Sequence, residues 1–148
     1  MNNQDILLRI GSIFHHKKFI FRNGEVGSKY LVLLSEPDPK TEFYLFAKTT
    51  SQQKEKSKEP GCQQESSAFF IYGGKEYFPG DTWVQLHELF KFEAVSILND
   101  SFKKNLEHKG FLSDVTICQL KNCAKIVKDI EEENKELIIK SYYKRYPK

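Results

Sequence analysis

The chain has 148 residues, enough for one domain with a buried core and too few for several. Hydrophobic residues make up 39% and charged residues 29%, the balance of an ordinary water-facing globule. Aromatics at 14% suit a small β core, where flat side chains bury much area for few rotatable bonds. A net charge of +3 allows an anionic partner but falls short of a dedicated duplex-DNA binder.

Met1–Asp5 carries no basic leader, and no run approaches the ~20 apolar residues that span a bilayer, so no membrane partner is expected. Cys62, Cys118 and Cys123 are odd in number and form no C-x-x-C pair. A disulfide framework is therefore not expected, and the chain reads as cytoplasmic with reduced thiols.

In chain order, residues 4–10 make one helical turn or a lead-in. Gly11 opens Ser12–Phe21, whose two apolar clusters flank a polar centre, the pattern of a strand with a bend or bulge. Arg22–Ser28 is a loop with Asn23-Gly24 as its turn signal. Lys29–Leu34 is a nearly continuous aliphatic run and predicts a central buried strand, ended by Pro37 and Pro39. Phe43–Ala47 predicts the next strand and leads into Lys48-Thr49-Thr50-Ser51-Gln52.

Residues 53–67 are rich in Lys, Glu, Gln and Ser and predict a mobile loop, either an insertion or a lid. Ala68–Tyr72 predicts a strand, Gly73-Gly74 and Pro79-Gly80 predict turns, and Asp81–Leu86 predicts another strand. Phe90–Val95 fits either state. Residues 99–108 read as loop or short helix. Ser113 is a good N-cap with Asp114 in the first turn, and the apolar spacing predicts a helix over Ser113–Ile130. Residues 131–143 continue it or form a second helix. Many short strands followed by helices predict one mainly β domain over 1–148. It comprises a small barrel or curled sheet over about 9–112 and a C-terminal helical part over about 113–145.

The order of these pieces resembles the MazF/PemK/Kid family of toxin endoribonucleases over about residues 9–130. The likeness rests on Gly11–Phe21, then Ser28–Leu34 where the family has a basic-Pro-aliphatic strand. It continues with Phe46–Gln52 with Thr50 at the family's Thr position, Asp81–Leu86, and Phe111-Leu112-Ser113 before the helix. Two departures are plain: Lys29 stands for the family's catalytic Arg, and Tyr30 for the Pro after it. The resemblance implies an SH3-like barrel of the MazF/Kid type, a homodimer, inhibition by an antitoxin protein, and cleavage of single-stranded RNA without metal.

Such cleavage uses the ribose 2′-OH as nucleophile, so the protein must move protons and stabilise charge on the phosphorane. The resemblance makes Lys29 and Thr50 the catalytic residues. Lys29 acts as a point charge rather than a bidentate fork, and burial would bring its pKa of ~10.4 closer to a usable range. A solvated strand-entrance Lys and an ordinary strand-end Thr are the plainer readings. Thr49 and Thr50 alternate, so the strand turns them to opposite faces.

His15, Lys17, Lys18, Arg22, Ser51, Gln52 and Asp81 are the RNA-binding candidates. The basic stripe flanked by Phe suits cations and stacking rings on a single strand. A solvated strand, a polar loop start and a turn-stabilising Asp explain the same residues structurally. His15 and His16 point to opposite faces, and no carboxylate stands near them in sequence. Cys62 has no His partner in sequence. No metal or other cofactor is expected, because neither H-x-x-x-H, a Cys/His cluster, a Walker loop nor G-x-G-x-x-G occurs. The alternative function is a non-catalytic barrel that binds RNA or a partner peptide.

Overall fold

A computed structural model describes residues 9–21, 23–35, 43–51, 59–93, 96, 97, 99 and 105–145, with 141–145 described by backbone alone. Among the described residues, seven strands form one antiparallel sheet: β1 (Ser12–Ile20), β2 (Val26–Ser35), β3 (Phe43–Thr50), β4 (Gly61–Gln63), β5 (Ala68–Ile71), β6 (Thr82–Glu93) and β7 (Leu106–Phe111). Two helices follow, α1 (Asp114–Ile126) and α2 (Glu132–Arg145). The strand order is β4-β5-β6-β3-β2-β1-β7, and the sheet is not closed, with β4 and β7 at its edges.

β2 lies near the middle, and Leu31–Ser35 are buried whichever face they point to. The alternation explains why. Val32 and Leu34 join Ala47, Phe69 and Val84 under the helices, where Ile117, Leu120, Ala124 and Ile138 complete the larger core. Leu31 and Leu33 point to the opposite face and pack with Phe14, Phe19 and Phe46 in a second, aromatic cluster. A strand covered on both faces needs apolar residues in succession, which is the pattern of this segment.

β6 is bent. Thr49 pairs with Val84 but Ala47 pairs with Leu89, so residues 85–88 leave the ladder with β3. A bulge of this kind lets one strand serve two partners: its first residues also pair with β5. The bend expected in β1 is present between His16 and Phe19.

Four expectations need correction. Residues 61–67 are ordered, as β4 and a 3-10 turn over Gln64–Ser66. Residues 52–58 of the same segment lie outside the described residues. The order comes from pairing with β5 and from a covalent link, neither of which local composition reveals. That link is a disulfide between Cys62 and Cys123, which overturns the expectation of reduced thiols. The two cysteines are 61 residues apart, and only the seating of β4 beside α1 brings their Cα atoms to 5.3 Å. Cys118 stays free and exposed.

The polar segment before Gly110 is in part a strand: β7 pairs with β1 from Leu106 onward. As an edge strand it turns Glu107 and Lys109 outward, which is why it reads as loop. The helix expected over Ser113–Ile130 ends at Ile126, and of the two readings for the residues after it the second helix is the one present. Ser113 caps α1, its hydroxyl accepting the Thr116 N–H, but Val127 is extended and ends it. Of the helical turn or lead-in expected over residues 4–10, residues 4–8 lie outside the described residues, as does the state of Ala94-Val95; Phe90–Glu93 continue β6.

The connection from β5 to β6 folds back on itself. Gly73 N–H donates to Asp81 Oδ1 at 2.9 Å, and Gly74 N–H to the Phe78 carbonyl at 2.9 Å. A Cβ on Gly73 would come within 2.8 Å of the Gly80 and Asp81 backbone, so the loop closes only with glycine there. Phe78 is buried in the larger core. Glu76 reaches the start of α1, where its carboxylate accepts from Ser113 N–H at 2.8 Å, from Ser113 Oγ at 2.9 Å and from Thr116 Oγ1. Helix α1 is thereby tied to the same loop that presents Pro79 and Gly80.

Candidate functional site

The starts of β2 and the end of β3 lie side by side, because the two strands run antiparallel. Beside them sit the middle of β1 and the Pro79-Gly80 turn. Together they line a cleft of about 350 Å³ formed by His15, Ser28, Lys29, Tyr30, Thr49, Thr50, Ser51, Pro79, Gly80 and Thr82. Four sequence candidates are thus gathered in one place: Lys29, Thr50, His15 and Ser51.

The cleft is cut across a strand end, where both sheet faces contribute. His15 pairs across strands with Tyr30 and His16 with Lys29. Tyr30 packs against the helix-covered core, so His15 and Tyr30 share that face and their rings lie 4.8 Å apart. Lys29 belongs by alternation to the face of Leu31 and Leu33. Its ammonium lies 5.8 Å from the centre of the Phe21 ring, a cation–π contact.

The two threonines differ as alternation requires. Thr49 is buried, and its hydroxyl donates to the Tyr30 carbonyl at 2.9 Å, which ties the ends of β2 and β3 together. Thr50 is half-buried in the cleft wall and pairs with Trp83 of β6. Tyr30, where the resembled family has Pro, is a rib of the site: its carbonyl holds Thr49 and its ring meets Phe78 edge-on at 5.8 Å.

Burial lowers the pKa of both basic groups of the cleft, Lys29 and His15. Burial is the main cause that lowers the Lys29 pKa from 10.5, with the neighbouring Lys48 adding to it. Lys48 is itself paired with Glu88 at 3.1 Å. The His15 pKa is lowered from 6.5, first by burial and then by Lys109; Lys17 and His16 act the same way, and Glu107 opposes them. His15 is therefore neutral at pH 7 and able to take a proton. The carboxylate that its sequence neighbourhood lacks comes from β7, where Glu107 is its cross-strand partner. No local signal reveals a partner 92 positions away.

The remaining candidates lie elsewhere. Lys17 is at 3.8 Å from Glu107 on the outer edge. Lys18 lines a second cleft beside the aromatic cluster. Asp81 holds the Gly73 turn and does not line the first cleft among its described residues. Arg22 and Gln52 lie outside the described residues. Among the described residues, three or more His, Cys, Asp or Glu side chains nowhere gather as a metal site. Among the described residues, no helix is long and apolar enough to cross a membrane.

Ser28, Thr82 and the Pro79-Gly80 turn also line the cleft and were not singled out by sequence. Each is an ordinary turn or strand-end residue until the fold closes the ring around Thr50. Neither a protein-family model nor a curated protein matches this sequence.

Proposed function

We propose that this chain binds single-stranded RNA across the cleft at the ends of β2 and β3 and cleaves it without metal. The observation that carries the proposal is the convergence of Lys29, Thr50, Ser51 and His15, from three strands, on one cleft. The ribose 2′-OH attacks the adjacent phosphorus, and its proton passes to neutral His15. The bond from phosphorus to the 5′-oxygen breaks, and that oxygen takes a proton from the Lys29 ammonium, whose pKa is lowered by burial. Thr50 and Ser51 hydroxyls, with Lys29, hold the charge on the non-bridging oxygens. The products are a 2′,3′-cyclic phosphate and a 5′-hydroxyl.

The family resemblance extends the proposal to an SH3-like curl of the sheet, a homodimer and an antitoxin protein as inhibitor. It also brings a cytoplasmic location, against which the Cys62–Cys123 bond counts, since such bonds persist in oxidising compartments. A second reading, a non-catalytic RNA or peptide binder, is favoured by one observation. By strand alternation Lys29 and His15 belong to opposite faces of the β1–β2 pair, although both line the cleft.

The test is incubation of the pure protein with a long single-stranded RNA in EDTA. Discrete products ending in cyclic phosphate are expected. Lys29→Ala and His15→Ala should each reduce the rate by about 100-fold or more, the typical worth of a proton-transfer group. Binding without cleavage establishes the second reading. Cleavage unchanged in both variants removes these two residues from the mechanism.

A further inference from the structure

A second cleft of about 470 Å³ lies beside the aromatic cluster, lined by His16, Lys18, Phe19, Ile20, Phe90, Phe92, Ser96, Asn99 and Asn105. We propose that it is a nucleobase subsite that seats one base of the strand whose phosphate sits on Lys29. The inference rests on the RNA reading of the first cleft and adds to it a place for a base.

Three observations support it. The walls are flat rings: His16 and Phe92 lie within 24° of parallel with centres 6.5 Å apart, and Phe90 meets Phe19 edge-on at 5.1 Å. Every base has a π face, so such walls hold any base by stacking. The polar lining supplies what a base and its backbone need. Asn99 and Asn105 carry amides that both donate and accept, Lys18 carries a positive charge, and the described lining contains no carboxylate.

The third observation is position. His16 lines the aromatic cleft, and its directly opposed residue on β2 is Lys29, which lines the first. Opposed residues of an antiparallel pair have Cβ atoms about 5 Å apart, less than one nucleotide step of an extended strand. The two clefts therefore adjoin across a single cross-strand pair. A phosphate on Lys29 leaves the neighbouring base within reach of Phe92. The placement also gives His16 and Lys18 a use, which the first cleft leaves unexplained.

The test is binding of a short 2′-O-methyl oligonucleotide, which cannot supply the nucleophile, compared with the same oligomer carrying abasic positions. Affinity for the base-bearing oligomer should fall about tenfold or more in Phe92→Leu, the usual scale for one stacked base, while affinity for the abasic oligomer stays unchanged. Phe92→Leu keeps an apolar side chain against Phe46, and a thermal melt checks its fold. Asn105→Ala, which removes no ring, should shift preference among the four bases. Binding by the wild type that neither variant alters overturns the base subsite and leaves the cleavage reading standing. A wild type that binds no oligonucleotide overturns both.

Discussion

Reduction of the Cys62–Cys123 bond should destabilise the protein through its unfolded state. The bond closes a loop of 61 residues. Releasing such a loop returns about 14 cal/mol/K of chain entropy, or about 4 kcal/mol at 25 °C, as an upper figure. Residual order in the unfolded chain lowers the expected loss to about 2–4 kcal/mol. The native side changes little, because Cys123 is buried and a reduced Cys packs as a small apolar residue. β4 keeps only three residues paired with β5, so its contact with α1 loosens first. Urea unfolding with and without reductant reads the effect. The midpoint should fall, the melting temperature should drop by roughly 10 °C, and the slope should rise as the freed chain exposes more surface. Cys62→Ser should match the reduced protein, and Cys118→Ser should do nothing. Three reactive thiols in the untreated protein, with a midpoint indifferent to reductant, would refute the reasoning.

Other outcomes follow from the same structure. Glu76→Ala removes the acceptor of three hydrogen bonds at the start of α1 and should cost about 1–2 kcal/mol in urea unfolding, with Glu76→Gln keeping part of it. His108 lies between Phe14 and Phe111, and its pKa is lowered from 6.5, mainly by burial and then by Arg9. Its folded value lies below its unfolded one, so its contribution is complete above pH 6.5 and is lost as pH falls through the lower value. His108→Phe should therefore flatten the stability loss below pH 6.5; an identical pH profile contradicts this. Lys121 donates to the Ile139 carbonyl at 3.1 Å, and its pKa is lowered from 10.5 to about 8, by burial and then Lys125. Stability should fall as pH drops from 10.5 toward 8 and then level off, and Lys121→Met should abolish that slope, worth about 1–2 kcal/mol after solvent screening.

The strands with dense local signals were legible as written. Lys29–Leu34 has apolar residues in succession because β2 is covered on both faces, and Ser113 announces α1 because capping is a local hydrogen bond. Local signals failed where order is supplied from afar. Gly61–Gln63 reads as polar loop and is a strand, held by β5 and by a cysteine 61 residues on. Leu106–His108 read as loop or short helix and begin β7, because an edge strand solvates one side. The break at Val127 carries no Gly or Pro to mark it.

The site divides in the same way. By itself the sequence determined which residues carry charge, hydroxyls and rings, and that His15/His16 and Thr49/Thr50 must split between faces, since strand alternation is a property of the backbone. Only the tertiary structure decided which members share a cleft. It set Lys29 and Thr50 beside Pro79-Gly80, gave His15 its Glu107 across the strand, turned Asp81 into a turn clasp and moved Lys18 to a second cleft. Those placements depend on register and on loop closure between distant segments, and neither leaves a trace in local composition.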